Sequence, residues 1–170
     1  LAYHDRSDGG LLATAAEMAF AGHCGIQLDL AGPSGDGEPA AALFAEELGA
    51  LVQIHRSQRE EVLRVVEEAG LGAIAHLVGG PRRDDRIRFT VGDRTLLEAD
   101  RIELQREWSE VSYRIQALRD DPECAREEHD RILDREDPGL QWEPTFDPAE
   151  DFDAPYVTSG AAPPVAILRE

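Results

Sequence analysis

The stretch YHDRSDGG, residues 3 to 10, gathers two aspartates, a histidine, an arginine and a serine directly before Gly9-Gly10 and the apolar run LLATAAEMAF. A helix that starts here offers unpaired backbone amides and the positive end of its dipole, and both favour an anion. Gly9 and Gly10 let a phosphate approach the backbone, and Ser7 carries a hydroxyl for a phosphate oxygen. Asp5, two residues earlier, supplies the hard oxygen that Mg2+ takes alongside phosphate ligands. The same residues also have a purely local reading. Ser7 or Asp8 caps the helix, the two glycines permit a tight entry, and His4 and Asp5 are simply solvated. The stretch has neither the spacing nor the lysine of a GxxxxGKS/T phosphate loop, so physical chemistry alone leaves both readings open.

Charge narrows what such a site can bind. Seventeen basic residues, all arginine, face thirty-five acidic ones, for a formal net charge of -18. That field repels phosphate backbones and anionic lipid surfaces, which argues against nucleic acid and membrane as partners. A nucleotide would need local help from backbone amides, a metal ion or partner residues. With 170 residues, 42% of them hydrophobic, the chain can bury one core and carry some further structure. Cys24 and Cys124 lie far apart and form no CxxC or Cys/His ligand pattern, so we expect neither a disulfide framework nor a zinc site, and a reducing, cytoplasmic compartment. The uncharged run AGLGAIAHLVGGP is too short and too rich in glycine for a membrane span. The first residue is not methionine, and the closing PPVAILRE reads like the start of a strand. Both lead us to expect a piece of a longer protein.

The elements that must hold the polar stretch are legible as changes of period. Leu11, Ala15 and Met18 recur at helical spacing, with Gly22 expected to close that helix, and CGIQLDL then alternates as a strand. AGPSGDGEP is a loop by composition. Leu43, Phe44 and Leu48 suggest a short helix closed by Gly49, and ALVQIH a strand. Ser57 and Glu60 form a capping box ahead of Val62, Val65 and Val66. AIAHLVG is the next strand candidate, and RIRFTVGDRTLLEA reads as a hairpin around Gly92-Asp93. The expected fold class is α+β, a sheet covered by helices. Beyond it, Leu104, Trp108, Val111, Ile115 and Leu118 mark one amphipathic helix with Asp100 and Glu103 at its start. RDDPE interrupts the pattern before a second, more polar helix around ECAREEHDRIL. Residues 134 to 164 read as a linker or extended arm, whose Trp142, Phe146, Phe152 and Tyr156 imply packing against a neighbouring domain.

LAYHDRSDGGLLATAAEMAFAGHCGI, ALFAEELGALVQI, LRDDPECAREEH, DPGL and APYVTSGAAPPVAILRE, in this order, resemble the long multidomain phosphoribosylformylglycinamidine synthases over nearly the whole chain. The resemblance implies that residues 1–100 are an AIR-synthase-like C-terminal lobe, 101–164 a helical and extended linker, and 165–170 the first strand of a glutamine amidotransferase domain. It implies the family's reaction, in which ATP activates the amide oxygen of formylglycinamide ribonucleotide and glutamine-derived ammonia displaces phosphate. Carried over residue by residue, Asp5 would bind Mg2+ and Ser7 would contact nucleotide, ATP or ADP. Gly9 and Gly10 join them from the helix-start argument. The implied site is the auxiliary one, where nucleotide is structural, so no residue here is expected to be catalytic and the piece alone should be inactive.

The implied partners are the remaining synthetase and glutaminase domains. The family's nucleophilic cysteine lies downstream of VAILRE, which leaves Cys24 and Cys124 as small buried groups. His4 is close enough to the proposed metal to support a ligand without being one. His23, His55, His76, His129 and the Glu46-Glu47 pair show no ligand spacing. From another class, a non-catalytic α+β module for metabolite sensing or protein interaction fits the same composition and periodicity.

Overall fold

Alternating apolar residues bring the central strands together. Ahead of them, β1 (Ala2–Asp5) leads through Gly9 into helix α1 (Gly10–Gly22), whose Ala15, Ala16 and Ala19 make a face small enough to lie close to a sheet. There follow β2 (Gly25–Asp29), short helical segments α2 (Ala31–Ser34) and α3 (Pro39–Phe44), β3 (Ala50–Gln53), helix α4 (Arg59–Glu68), β4 (Gly79–Arg82), β5 (Arg86–Val91) and β6 (Arg94–Asp100). Helices α5 (Arg101–Arg119) and α6 (Pro122–Asp130) come next, and a single turn, α7 (Ala154–Val157), lies near the end. The computed structural model describes residues 1–34, 37–139, 143–157, 159–160 and 164–166. The chain divides into two compact units, Leu1–Arg135 and Glu136–Glu170.

The first unit is a mixed α+β fold, as the periodicity predicts. Its main sheet has the order β4-β2-β5-β6, with β2 and β5 parallel and the other neighbours antiparallel. Register places Ile26 beside Ile87 and Leu28 beside Phe89. These four side chains pack under Ala15, Ala19 and Phe20 of α1 and Leu43 of α3 to form the core. Each such burial contributes about 1.5–3 kcal/mol relative to an exposed side chain. Asp29, at the end of β2, accepts from Ala31 N and from Gly92 N in the hairpin turn (2.9 and 3.2 Å), which ties that turn to the neighbouring strand.

Several expectations need correction. β1 was not anticipated; it pairs antiparallel with β3 in a separate two-stranded sheet, because its partner lies nearly fifty residues away. The AIAHLVG segment is not a strand but a 3-10 turn (Gly72–Ile74) and irregular chain, and pairing with β2 begins only at Gly79. There the backbone (φ 151°) passes so close to the Gln27 carbonyl that no β-carbon would fit. Helix α1 closes through His23 (φ 46°) rather than Gly22, with the His23 and Cys24 amides returned to Phe20 and Ala19 carbonyls. The Ser57 capping box does not form. Ser57 falls inside a 3-10 turn (Arg56–Gln58), and α4 begins at Arg59 with no side-chain cap. Leu48 lies outside α3 and is fully exposed.

The start of α5 is capped as expected. Asp100 Oδ1 accepts from Ile102 N and Glu103 N (3.0 and 3.4 Å), and its Oδ2 accepts from Arg135 (2.8 Å). Asp85 bridges Arg135 and the buried Arg101 guanidinium (2.8 and 2.7 Å), so that buried charge is paired. Burial works to raise the Asp100 pKa, but Arg135 and the two amides outweigh it and hold the carboxyl below its ordinary value of 3.8. Stability from a depressed carboxyl is present above the ordinary value and is lost as pH falls through the folded one. Asp100→Ala is therefore expected to cost about 1 kcal/mol at neutral pH, and its thermal melt should converge on the wild-type melt as the solution is acidified below pH 3.8. A gap that persists unchanged in acid would remove the ionised cap as its cause.

Helix α6 lies on the polar face of α5. Arg106 donates to His129 O and Asp130 (2.7 and 3.0 Å), Gln116 to Glu128 (2.8 Å), and the Tyr113 and His129 rings stack at 4.3 Å. His129, without an evident partner in the sequence, is thus a buried structural residue that also meets Ser109 Oγ at 3.1 Å. Because hydrogen bonding draws α6 to that face, the later part of the apolar stripe is left open, while Leu104 at its start packs against the core. Val111 is 67% and Leu118 90% exposed. In the second unit, Asp151 accepts from Asp153 N and Ala154 N to cap α7, and Phe146 and Phe152 are exposed. Trp142, the side chain of Tyr156 and residues 167–170 of the expected 165–170 strand lie outside the described residues.

Candidate functional site

The polar stretch occupies the turn between the last residue of β1 and the first turn of α1. β1 ends at Asp5, where Arg6 N donates to Gly49 O (2.8 Å) and continues the seam with the β3 side, while Arg6 Nη2 donates to Ala42 O (2.8 Å) near the end of α3. The turn is therefore clamped to two separate elements. Gly10 N donates to Ser7 O (3.0 Å) to close it, and Gly9 (φ 81°) and Gly10 (φ 66°) both take the left-handed conformation that glycine adopts without strain.

Two candidate residues present chemistry outward. Asp5 and Ser7 are both exposed, and the closest cationic group to the Asp5 carboxylate is His4 Nδ1 at 3.9 Å. Gly9 is exposed and its amide is engaged, donating to Glu46 Oε1 (3.0 Å) across 37 residues of sequence. A carboxylate thus already sits at the helix start, where an anion is favoured. Gly10 is buried, and a β-carbon on it would lie 2.6 Å from Leu43 O. Its part is to let α3 pass close to α1 while its own amide serves the turn. The helix carries no side-chain cap, so neither Ser7 nor Asp8 plays the local role that sequence allows.

Behind the turn lies a support that sequence reasoning missed. His4 Nδ1 donates to the main-chain carbonyl of Asp5 (2.7 Å), and His4 Nε2 meets Glu17 Oε2 (2.8 Å). The bond to that carbonyl, reinforced by the Glu17 carboxylate, raises the His4 pKa against a partial burial that lowers it. With both ring nitrogens engaged, His4 braces the turn and is not free to ligate a metal. Thr14, fully buried, donates its hydroxyl to Gly10 O (3.0 Å) and lies 3.4 Å from Asp5 O. Glu17 also accepts from the Trp108 indole (2.9 Å). The spacing of Thr14 and Glu17, one helical turn apart on α1, was the available signal, but nothing local ties either residue to Asp5.

Among the described residues no group of three or more His, Cys, Asp or Glu is placed to hold a metal ion. The turn offers no closed protein cage. A single exposed carboxylate with a neighbouring hydroxyl does fit Mg2+, which takes one or two carboxylates and shares phosphate oxygens as its other ligands. Neither thiol is primed for chemistry: burial pushes the Cys24 pKa up, and the adjacent Asp121 carboxylate pushes up that of Cys124, which is exposed rather than buried. No described helix is long and apolar enough to cross a membrane.

Comparison with known proteins places this geometry in a family. Residues 1–92, which contain the whole turn and its β3 and α3 supports, match the family model described as AIR synthase related protein, C-terminal domain. Solved structures of Thermotoga maritima share the fold. One titled "T. maritima PurL complexed with ATP" aligns with a TM-score of 0.52 and 17% identity, covering 58% of this chain and 17% of that one. Another, "T. maritima PurL complexed with FGAR", aligns at 0.52 and 18%, covering 60% and 17%. "Structure of PurLQS from Thermotoga maritima" gives 0.51 and 18%, covering 58% and 17%. The chain thus spans under a fifth of the length of the proteins it matches, and at these identities the likeness is one of fold. By the family match across more than half of its length, the chain belongs to the AIR synthase related family, of which it carries the C-terminal domain.

Proposed function

We propose that this chain is part of a long, multidomain phosphoribosylformylglycinamidine synthase and contributes one lobe of an auxiliary Mg-nucleotide site. The observation that carries the reading is the β1–α1 turn, which exposes the Asp5 carboxylate and the Ser7 hydroxyl together at a helix start while clamping their backbone from behind. The ATP and the FGAR named for the PurL neighbours support the choice of nucleotide and of enzyme. In this reading Asp5 holds the metal, Ser7 bonds a phosphate oxygen, Gly9 offers its amide once the phosphate displaces the Glu46 carboxylate that now accepts from it, and Gly10 keeps the turn tight. Mg2+ would neutralise phosphate charge that the protein's own -18 field otherwise repels. The parent reaction turns formylglycinamide ribonucleotide, ATP, glutamine and water into formylglycinamidine ribonucleotide, ADP, phosphate and glutamate. The remaining synthetase and glutaminase domains supply the catalytic site and the ammonia. The chain alone is expected to show no turnover, checked by assay for the amidine product. Free Cys24 and Cys124 accord with a reducing cytoplasm.

The test is calorimetric titration of MgADP and MgATP into this chain and into the longer multidomain protein, each with and without Asp5→Asn. Heat of binding that Asp5→Asn leaves unchanged in the longer protein would overturn the reading. A second substitution probes the competing carboxylate. Glu46→Ala frees the Gly9 amide and removes a negative charge from the place a phosphate would take, so MgADP affinity should rise by roughly threefold to tenfold, the net weight of one ordinary hydrogen bond. Weaker binding would mean instead that Glu46 shapes the turn.

A further inference from the structure

We propose that Trp108 and Glu17 are positioning residues for the Asp5–Gly10 turn, so that helix α5 and the nucleotide site are mechanically one unit. The claim of coupling stands on the hydrogen-bond geometry; its consequence for ligand rests on the nucleotide reading above.

Four groups lie in series. The Trp108 indole N–H on α5 donates to Glu17 Oε1 on α1 (2.9 Å), Glu17 Oε2 meets His4 Nε2 on β1 (2.8 Å), and His4 Nδ1 donates to the carbonyl of Asp5 (2.7 Å). The last link ends on the backbone of the very residue whose side chain would hold the metal. Every member is used twice. The Glu17 carboxylate spends one oxygen on each neighbour, and the imidazole spends one nitrogen on each. The Trp108 ring packs at a tilt on Phe20, with centroids 5.7 Å apart, while its N–H goes to Glu17. Yet Trp108 is 59% exposed, so hydrophobic burial alone gives little reason for an indole here. The ring contact sets the distance of α5 from α1, and the N–H converts that distance into a fixed Glu17 rotamer. Displacing α5 would release Glu17, then His4, then the Asp5 carbonyl, which keeps only the longer approach of Thr14 Oγ1 at 3.4 Å.

Three substitutions separate the links. Trp108→Phe keeps the ring on Phe20 and removes only the N–H. Glu17→Ala breaks both bonds of the carboxylate. Glu17→Gln preserves the series, because its carbonyl oxygen accepts from the indole and its amide donates to a neutral His4. Amide hydrogen exchange of Arg6, Gly9 and Gly10, read against Ile87 and Phe89 in β5, reports the turn separately from the core. Glu17→Ala is expected to speed exchange in the turn by about tenfold, Trp108→Phe by less, and Glu17→Gln to stay close to wild type, with β5 unchanged in all three. Addition of MgADP to the 15N-labelled protein should shift the Trp108 indole resonance together with the Ser7 amide, and Glu17→Ala should abolish the indole shift alone.

Unchanged turn exchange in both Glu17→Ala and Trp108→Phe would overturn the coupling. If Glu17→Ala loosens β5 as well, Trp108→Phe against Glu17→Gln decides. A Ser7 shift without an indole shift overturns the coupling and leaves the nucleotide reading standing. No shift at either position means that this lobe alone does not hold nucleotide and leaves that reading to the titration of the longer protein, and faster turn exchange in the variants then still supports the coupling.

Discussion

Gly10→Ala should lower the thermal midpoint by roughly 10 °C, the largest effect expected of any single methyl added in the motif. At φ 66° an alanine sits in the left-handed region, which costs about 1–2 kcal/mol. The new β-carbon would also lie 2.6 Å from Leu43 O and 2.8 and 2.9 Å from the Phe44 backbone. None of these atoms is the end of a flexible side chain, so relief requires α3 to move away from α1, and that strain adds about 1–3 kcal/mol. Leu43 would be drawn out of the core with it. Differential scanning calorimetry checks the loss, and a midpoint within a degree or two of wild type would show that the two helices can separate freely. Gly9→Ala is a useful companion. There the conflict is with the Ala13 β-carbon at 2.7 Å on the same helix, so the disturbance stays local.

Asp5→Asn should leave the fold intact and weaken MgADP binding at least tenfold. Removing a group that only supports a metal ligand typically costs 10- to 100-fold, and a ligand itself should cost no less. Its exposure and its lack of an ion pair other than His4 Nδ1 at 3.9 Å mean that stability hardly depends on it. The sign of the effect should depend on the metal. In EDTA the wild-type carboxylate only adds to the -18 charge that repels ADP, so Asp5→Asn should then bind metal-free ADP no worse than wild type. Equal weakening with and without Mg2+ would assign Asp5 a shaping role and remove it from the metal.

The pattern of agreement between sequence and structure follows the range of the interactions involved. β2, the β5–β6 hairpin, the Asp100 cap and the proline-led start of α6 rest on residues within a few positions of one another, and each is present. β1, β4 and the packing of α5 depend on partners far along the chain. Gly79-Gly80-Pro81-Arg82 has almost no intrinsic strand preference and is extended because β2 lies beside it. The α5 stripe has the right period, but α6 is held by Arg106, Ser109, Tyr113 and Gln116 on another face. The motif shows the same division. Asp5, Ser7 and the two glycines are visible as a word, whereas Glu46 and Trp108 reach it from 37 and 91 residues from their partners. Nothing in their own surroundings announces that reach.

The parallel pairing of β2 with β5 also sets an order of events. Ile26 meets Ile87 roughly sixty residues later, and that contact must be closed against the entropy of the whole intervening chain. The β5–β6 hairpin needs only the Gly92-Asp93 turn and can form in about 1–10 μs, so it is available as a template before β2 arrives. Substitutions within the hairpin should then slow refolding, while conservative truncations in β2 and β4 should chiefly speed unfolding. The α1 turn, which is held by β3, α3 and α5, can acquire its shape only after those distant pieces have come together.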